Sequence, residues 1–150
     1  MVKKIFYLDA CIFINLFLKE VGHKEITSFL NDPDIDFVTS EWTWTEIVKV
    51  LIKEKKISEK KVSNYIQYLM RKKRIGDVCF KIVSVSLKKD YTFSEFFYEV
   101  QEKLMKYKGS LADVIHSVIM KNNEINTILT TDSEFEGMKG IYVINPLKLN

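Results

Sequence analysis

The chain alternates short apolar segments with helical ones, and this alternation limits it to few folds. Lys4–Leu8 (KIFYL) is a β-rich apolar run. Ala10–Lys19 is apolar on every side, and Lys24–Leu30 has helical spacing before the turn Asn31-Asp32-Pro33. Asp36–Thr39 is strand-like. Ser40 and Ser58 stand where they would cap two longer helices, running to about Lys55 and about Arg74. The second of these carries Val62, Tyr65, Ile66 and Leu69 along one side. The pattern continues with a strand over Phe80–Val85 and a helix over Thr92–Lys106 that Gly109 ends. A helix from Ser110 to about Ile119 follows, then strands over Thr127–Thr130 and Ile141–Ile144. Short strands that are apolar throughout and separated by helices pair in parallel and are covered on both faces. The expected fold is α/β with a mostly parallel sheet, in a single domain over residues 1–150.

The 47% of hydrophobic residues suffices for one core, and 5 Gly and 2 Pro are too few for a loop-rich or disordered chain. No apolar run is long enough to cross a bilayer, since Ile12–Leu18 is broken by Asn15. Lys3 and Lys4 lead straight to Asp9 rather than to a signal-peptide core. The expectation is a cytoplasmic protein with no membrane association. Cys11 and Cys79 form no CxxC pair, and with His23 and His116 at these spacings they make no zinc site. Both are expected as reduced core residues.

Charge is unevenly placed. From Lys53 to Arg74 there are nine Lys or Arg against two Glu, whereas the remainder holds 14 against 18 acids. A basic arm on a mildly acidic body suits a polyanion gripped beside an acidic metal site, although a solvated helix face is the commoner meaning of such a run.

Four acids occupy telling positions. Asp9 and Asp132 each end a predicted strand, where open parallel sheets bind their ligands. Glu46 shares a helix side with Trp42 and Val50, and Asp113 stands among Leu111, Val114 and Ile115 near a helix start. Each has a local alternative. Asp9 and Asp132 can cap the segments after them, Ser110 and Asp113 match a capping box, and Glu46 can pair with Lys49 or Lys53. Gathered at one sheet rim, however, four carboxylates need cations to stay ionised, and hard oxygen ligands select Mg²⁺ or Mn²⁺. Such ions cleave phosphodiesters without a histidine base, so His116 is read as a bystander.

The motifs resemble a known family. Tyr7-Leu8-Asp9-Ala10-Cys11-Ile12-Phe13-Ile14 is similar to the opening of a PIN domain. Thr45-Glu46-Ile47 and Ser110-Leu111-Ala112-Asp113-Val114-Ile115 resemble its second and third acidic motifs. Leu129-Thr130-Thr131-Asp132-Ser133-Glu134-Phe135, followed by Val143-Ile144-Asn145-Pro146, resembles its C-terminal signature. The resemblance spans nearly the whole chain in order, and the size is similar to VapC-type toxins of toxin–antitoxin pairs. It implies a three-layer α/β/α fold and Mg²⁺- or Mn²⁺-dependent cleavage of RNA. Asp9, Glu46, Asp113 and Asp132 would act as the catalytic, metal-holding quartet, with Thr131 and Glu134 assisting. Cys11 departs from the Asn frequent at that position, which implies weaker ordering around the metal. The helices over Ser40–Arg74 match the hairpin where such toxins form homodimers and meet an antitoxin. Arg71, Lys72, Lys73 and Arg74 are candidates for RNA phosphates. Tyr65 and Tyr68 suit core or dimer packing better than base stacking. The competing readings are a PIN nuclease of RNA processing or decay without an antitoxin, and a catalytically silent RNA-binding domain. A phosphatase with an aspartyl nucleophile fits poorly, because the second Asp it needs is missing from Asp9-Ala10-Cys11.

Overall fold

A computed structural model describes residues 2–149. The strands are β1 (Lys4–Leu8), β2 (Ile35–Ser40), β3 (Arg74–Ile75), β4 (Val78–Val83), β5 (Thr127–Leu129) and β6 (Tyr142–Ile144). The helices are α1 (Ala10–Leu18), α2 (His23–Leu30), α3 (Glu41–Val48), α4 (Glu59–Lys72), α5 (Phe93–Lys106) and α6 (Leu111–Asn122). The strands form one sheet in the order β3-β4-β2-β1-β5-β6. Every pairing is parallel except β3 with β4.

The expected three-layer α/β/α architecture follows from strands buried on both faces. Phe6 and Leu8 of β1 point into a core shared with α1 to α4, while Tyr7 between them points into a second core under α5 and α6. Phe37 and Val38 of β2, and Leu129 and Ile128 of β5, divide in the same way. Phe13 anchors the first core, with edge-on contacts to Trp44 and Phe80 at 5.5 Å each.

Several local expectations are corrected. Ser40 and Ser58 sit at N-cap positions but make no capping bond. The Ser40 hydroxyl is drawn instead to the buried Tyr7 hydroxyl at 2.6 Å. The helix after Ser40 does reach Glu54, but over Lys49–Glu54 it widens into π-helical turns. The following helix stops at Lys72, with Lys73 left-handed at φ 49, and Arg74 enters an antiparallel hairpin instead of extending that helix. The hairpin turns on Gly76-Asp77, where Gly76 holds φ 57, a conformation that favours glycine. Cys79 lies exposed on β4, while Cys11 is half-buried; both thiols are free. Among the described residues, no helix is long and apolar enough to cross a membrane.

Candidate metal centre

The site lies at the C-terminal rim of the parallel strands. Asp9 follows the last residue of β1 and is held there by the sheet, because its N–H donates to the Leu129 carbonyl of β5 at 3.2 Å. The Asp9 carboxylate takes the Ala10 N–H on Oδ1 at 2.7 Å and the Thr130 hydroxyl on Oδ2 at 2.7 Å. Asp9 therefore does cap α1, but its cap bond leaves the carboxylate at the rim. Burial pushes the Asp9 carboxyl up, against His116 and its hydrogen bonds, which favour the ionised form.

Glu46 reaches the same place from α3. That helix is fastened to the sheet by Thr39, whose hydroxyl donates to the Leu8 carbonyl at 3.0 Å and lies 2.8 Å from the Thr43 hydroxyl. Among the described residues, Glu46 forms an ion pair with neither Lys49 nor Lys53. Its Oε2 makes a short contact with Nε2 of His116. His116, one turn beyond Asp113 on α6, is fully buried, with Nε2 4.0 Å from Oδ1 of Asp9 and Nδ1 2.7 Å from the Tyr7 hydroxyl. Burial opposes its charged form, but Tyr7, Glu46 and Asp9 outweigh that, and the ring is held up to about 10. One ligand atom each from Asp9, Glu46 and His116 lie within 4.8 Å of one another.

The remaining acids stand alongside. Asp113 is buried and forms the capping box, with Oδ2 accepting from the Ser110 hydroxyl at 2.6 Å and the Ser110 N–H at 3.3 Å. Asp132 caps its own turn, with Oδ1 accepting the Glu134 N–H at 3.0 Å, while its N–H donates to Thr130 Oγ1 at 3.0 Å. The Glu134 carboxyl is pushed up to about 7, by nearby Asp113 first and then by the charge of Asp132; burial and the Asp9 charge add smaller increments. The close cluster itself holds Asp9, Glu46 and His116, and not Asp113 or Asp132. The hydroxyl that orders Asp9 belongs to Thr130. Thr131 contributes its N–H, which donates to Cys11 Sγ at 3.3 Å. That thiol lies 3.2 Å from both Asp9 Oδ2 and Thr130 Oγ1, so Cys11 does bond the site.

The end of the basic arm, Arg71–Arg74, is elsewhere. Arg74 pairs with Cys79, and Phe80 is level with Phe37 and Phe6, so Arg71–Arg74 lies towards the opposite rim, three strands from β1. Strand spacing and rise put the Arg74 backbone about 20 Å from that of Asp9.

A sequence profile of the PIN domain matches residues 6–141. The chain belongs to the PIN-domain family. No curated protein sequence matches it significantly. Solved structures share its fold. VapC20 of Mycobacterium tuberculosis, described as a sarcin–ricin-loop-cleaving toxin, aligns with TM-score 0.63 at 12% identity over 91% of this chain and 95% of its own. VapBC2 of Rickettsia felis, bound to a promoter DNA fragment, aligns with TM-score 0.61 at 14% identity, covering 94% and 98%. A toxin–antitoxin complex from Klebsiella pneumoniae aligns with TM-score 0.57 at 20% identity, covering 94% and 97%. At these identities the likeness is one of fold.

Of the missed contributors, His116 had one sequence signal, its position three residues after Asp113, which puts both on one helix side. Thr130 had none beyond adjacency to Thr131.

Proposed function

We propose that this PIN domain is a Mg²⁺- or Mn²⁺-dependent endoribonuclease, the toxin of a toxin–antitoxin pair. The observation that supports this reading is the meeting of buried Asp9 and half-buried Glu46 at the C-terminal rim of the sheet, to which Asp113, Asp132 and Glu134 would add further carboxylates. The donor set fits a small divalent ion. Opposite ligands of such an ion stand about 4 Å apart, and Asp9 and Glu46 need close little to hold one. When bound, the ion supplies a polarised water and charge stabilisation at the phosphodiester.

The chain's own residues do the positioning. Thr130 and the Ala10 N–H fix the Asp9 carboxylate, and Ser110 fixes that of Asp113. Asp132 and Glu134 are exposed and would be free to meet an incoming phosphate with its ion. Arg71–Arg74, with Arg74 about 20 Å away, would grip a more distant part of the same RNA. The toxin reading, with an antitoxin and a homodimer, is supported by the shared fold of the toxin–antitoxin structures. Exposed Phe93 and Phe97 on α5 also offer apolar surface for a partner.

The test is cleavage of labelled RNA with Mn²⁺ or Mg²⁺, with mapping of the cut ends. Asp9→Asn and Asp113→Asn are each expected to lower the rate about a hundredfold or more while the circular dichroism spectrum stays unchanged. Two folded variants that cut as fast as the parent refute the metal-nuclease reading. Co-expression with any small gene that adjoins its own separates a restrained toxin, whose growth arrest is relieved, from a nuclease without an antitoxin.

A further inference from the structure

We propose that His116 is itself a ligand of the metal ion, giving the centre a nitrogen donor and a preference for transition ions such as Mn²⁺ or Co²⁺ over Mg²⁺. The inference rests on the metal-dependent reading above.

The argument begins with the ring's other nitrogen. Nδ1 lies 2.7 Å from the Tyr7 hydroxyl, and that hydroxyl lies 2.6 Å from Ser40 Oγ. Tyr7 has a single proton to donate. When Nδ1–H donates to the Tyr7 oxygen, Tyr7 donates to Ser40 and the Nε2 lone pair faces the acids. A hydrogen bond from the remote nitrogen to a fixed acceptor is the usual way proteins orient a metal-bound imidazole. Tyr7 and His116 are both fully buried, and their rings meet edge-on at 5.4 Å, so the imidazole is locked in this direction.

Nε2 then confronts Oε2 of Glu46 in the short contact and Oδ1 of Asp9 at 4.0 Å. In the metal-free protein a proton on Nε2 bridges this contact to Glu46. A divalent ion would replace that proton, which would leave to solvent, and Nε2 would join the two carboxylates as a ligand. His116 would then be more than the bystander expected from the sequence. A donor set of one imidazole and two carboxylates differs from an all-oxygen one. Imidazole suits transition ions, whereas Mg²⁺ keeps oxygen ligands and water.

Pulsed electron paramagnetic resonance of Mn²⁺ added to the purified full chain tests this directly. The expected result is nitrogen modulation from one directly bound imidazole, absent in His116→Gln. In the same variant Mn²⁺ affinity falls about tenfold or more, while Mg²⁺ affinity changes less, so the preference narrows. The conservative His116→Asn variant and a thermal melt confirm that the fold survives. Mn²⁺ that binds the parent without nitrogen modulation overturns the inference and leaves the nuclease reading standing. Failure of the parent to bind Mn²⁺ or cut RNA with it overturns both.

Discussion

Tyr7 carries one hydroxyl between two buried partners, His116 and Ser40. Tyr7→Phe keeps the ring and its packing but leaves both partners unpaired, at about 1–3 kcal/mol for each buried polar atom. The expected effect is a thermal midpoint lower by about 5 °C or more in calorimetry. An unchanged midpoint would mean that the hydroxyl supports neither neighbour. The imidazole beside it sets a pH dependence. Its ordinary value near 6.5 is raised in the folded protein to about 10. The folded state therefore binds this proton more tightly, and its contribution is full below about pH 6.5 and is lost as pH rises through about 10. In metal-free melts from pH 6 to 10, the stability gap between the parent and His116→Gln is expected to shrink as pH rises; a constant gap contradicts it. The acids themselves were legible because strand ends and helix starts are visible in a single sequence. The His116 contacts were not, because Tyr7 lies 109 positions away and Glu46 lies 70 away, and only folding brings them together.

Helix caps show how far local sequence carries. Thr92, Ser110, Ser40 and Ser58 all offer a hydroxyl at a helix start, yet only the first two close a capping box, with Glu95 and Asp113. The difference lies in the fourth residue. A carboxylate three positions on returns the bond to the cap's own N–H, whereas Thr43 and Lys61 stand at that place after Ser40 and Ser58. Thr92→Ala is accordingly expected to lower stability by about 1 kcal/mol, and Ser58→Ala by less than about 0.5 kcal/mol. Urea midpoints of the two variants check the contrast, and equal losses contradict it. Strand positions in the interior, β1 above all, were readable from apolar runs buried on both faces. The β3–β4 hairpin was hidden because β3 has two residues and continues a basic helical stretch, leaving Gly76-Asp77 as its one local mark.

Across the molecule, charge and topology act at different distances. The acidic rim and Arg74, at the end of the basic arm, are separated by about 20 Å, so an RNA that meets both must span the face between them. Replacing Arg71, Lys72, Lys73 and Arg74 by Gln is expected to weaken RNA binding. It also reduces the slope of log affinity against log salt by up to about 3, at about 0.7 per single-strand phosphate contact. A slope equal to the parent's returns the arm to a solubilising role. The sheet order carries a different consequence. β5 lies between β1 and β6, and the acids after it, Asp132 and Glu134, come late in the chain. During synthesis, β1 lacks its β5 neighbour and the rim lacks Asp132 until these later residues have emerged. The proposed activity is therefore expected only once that segment has joined the sheet.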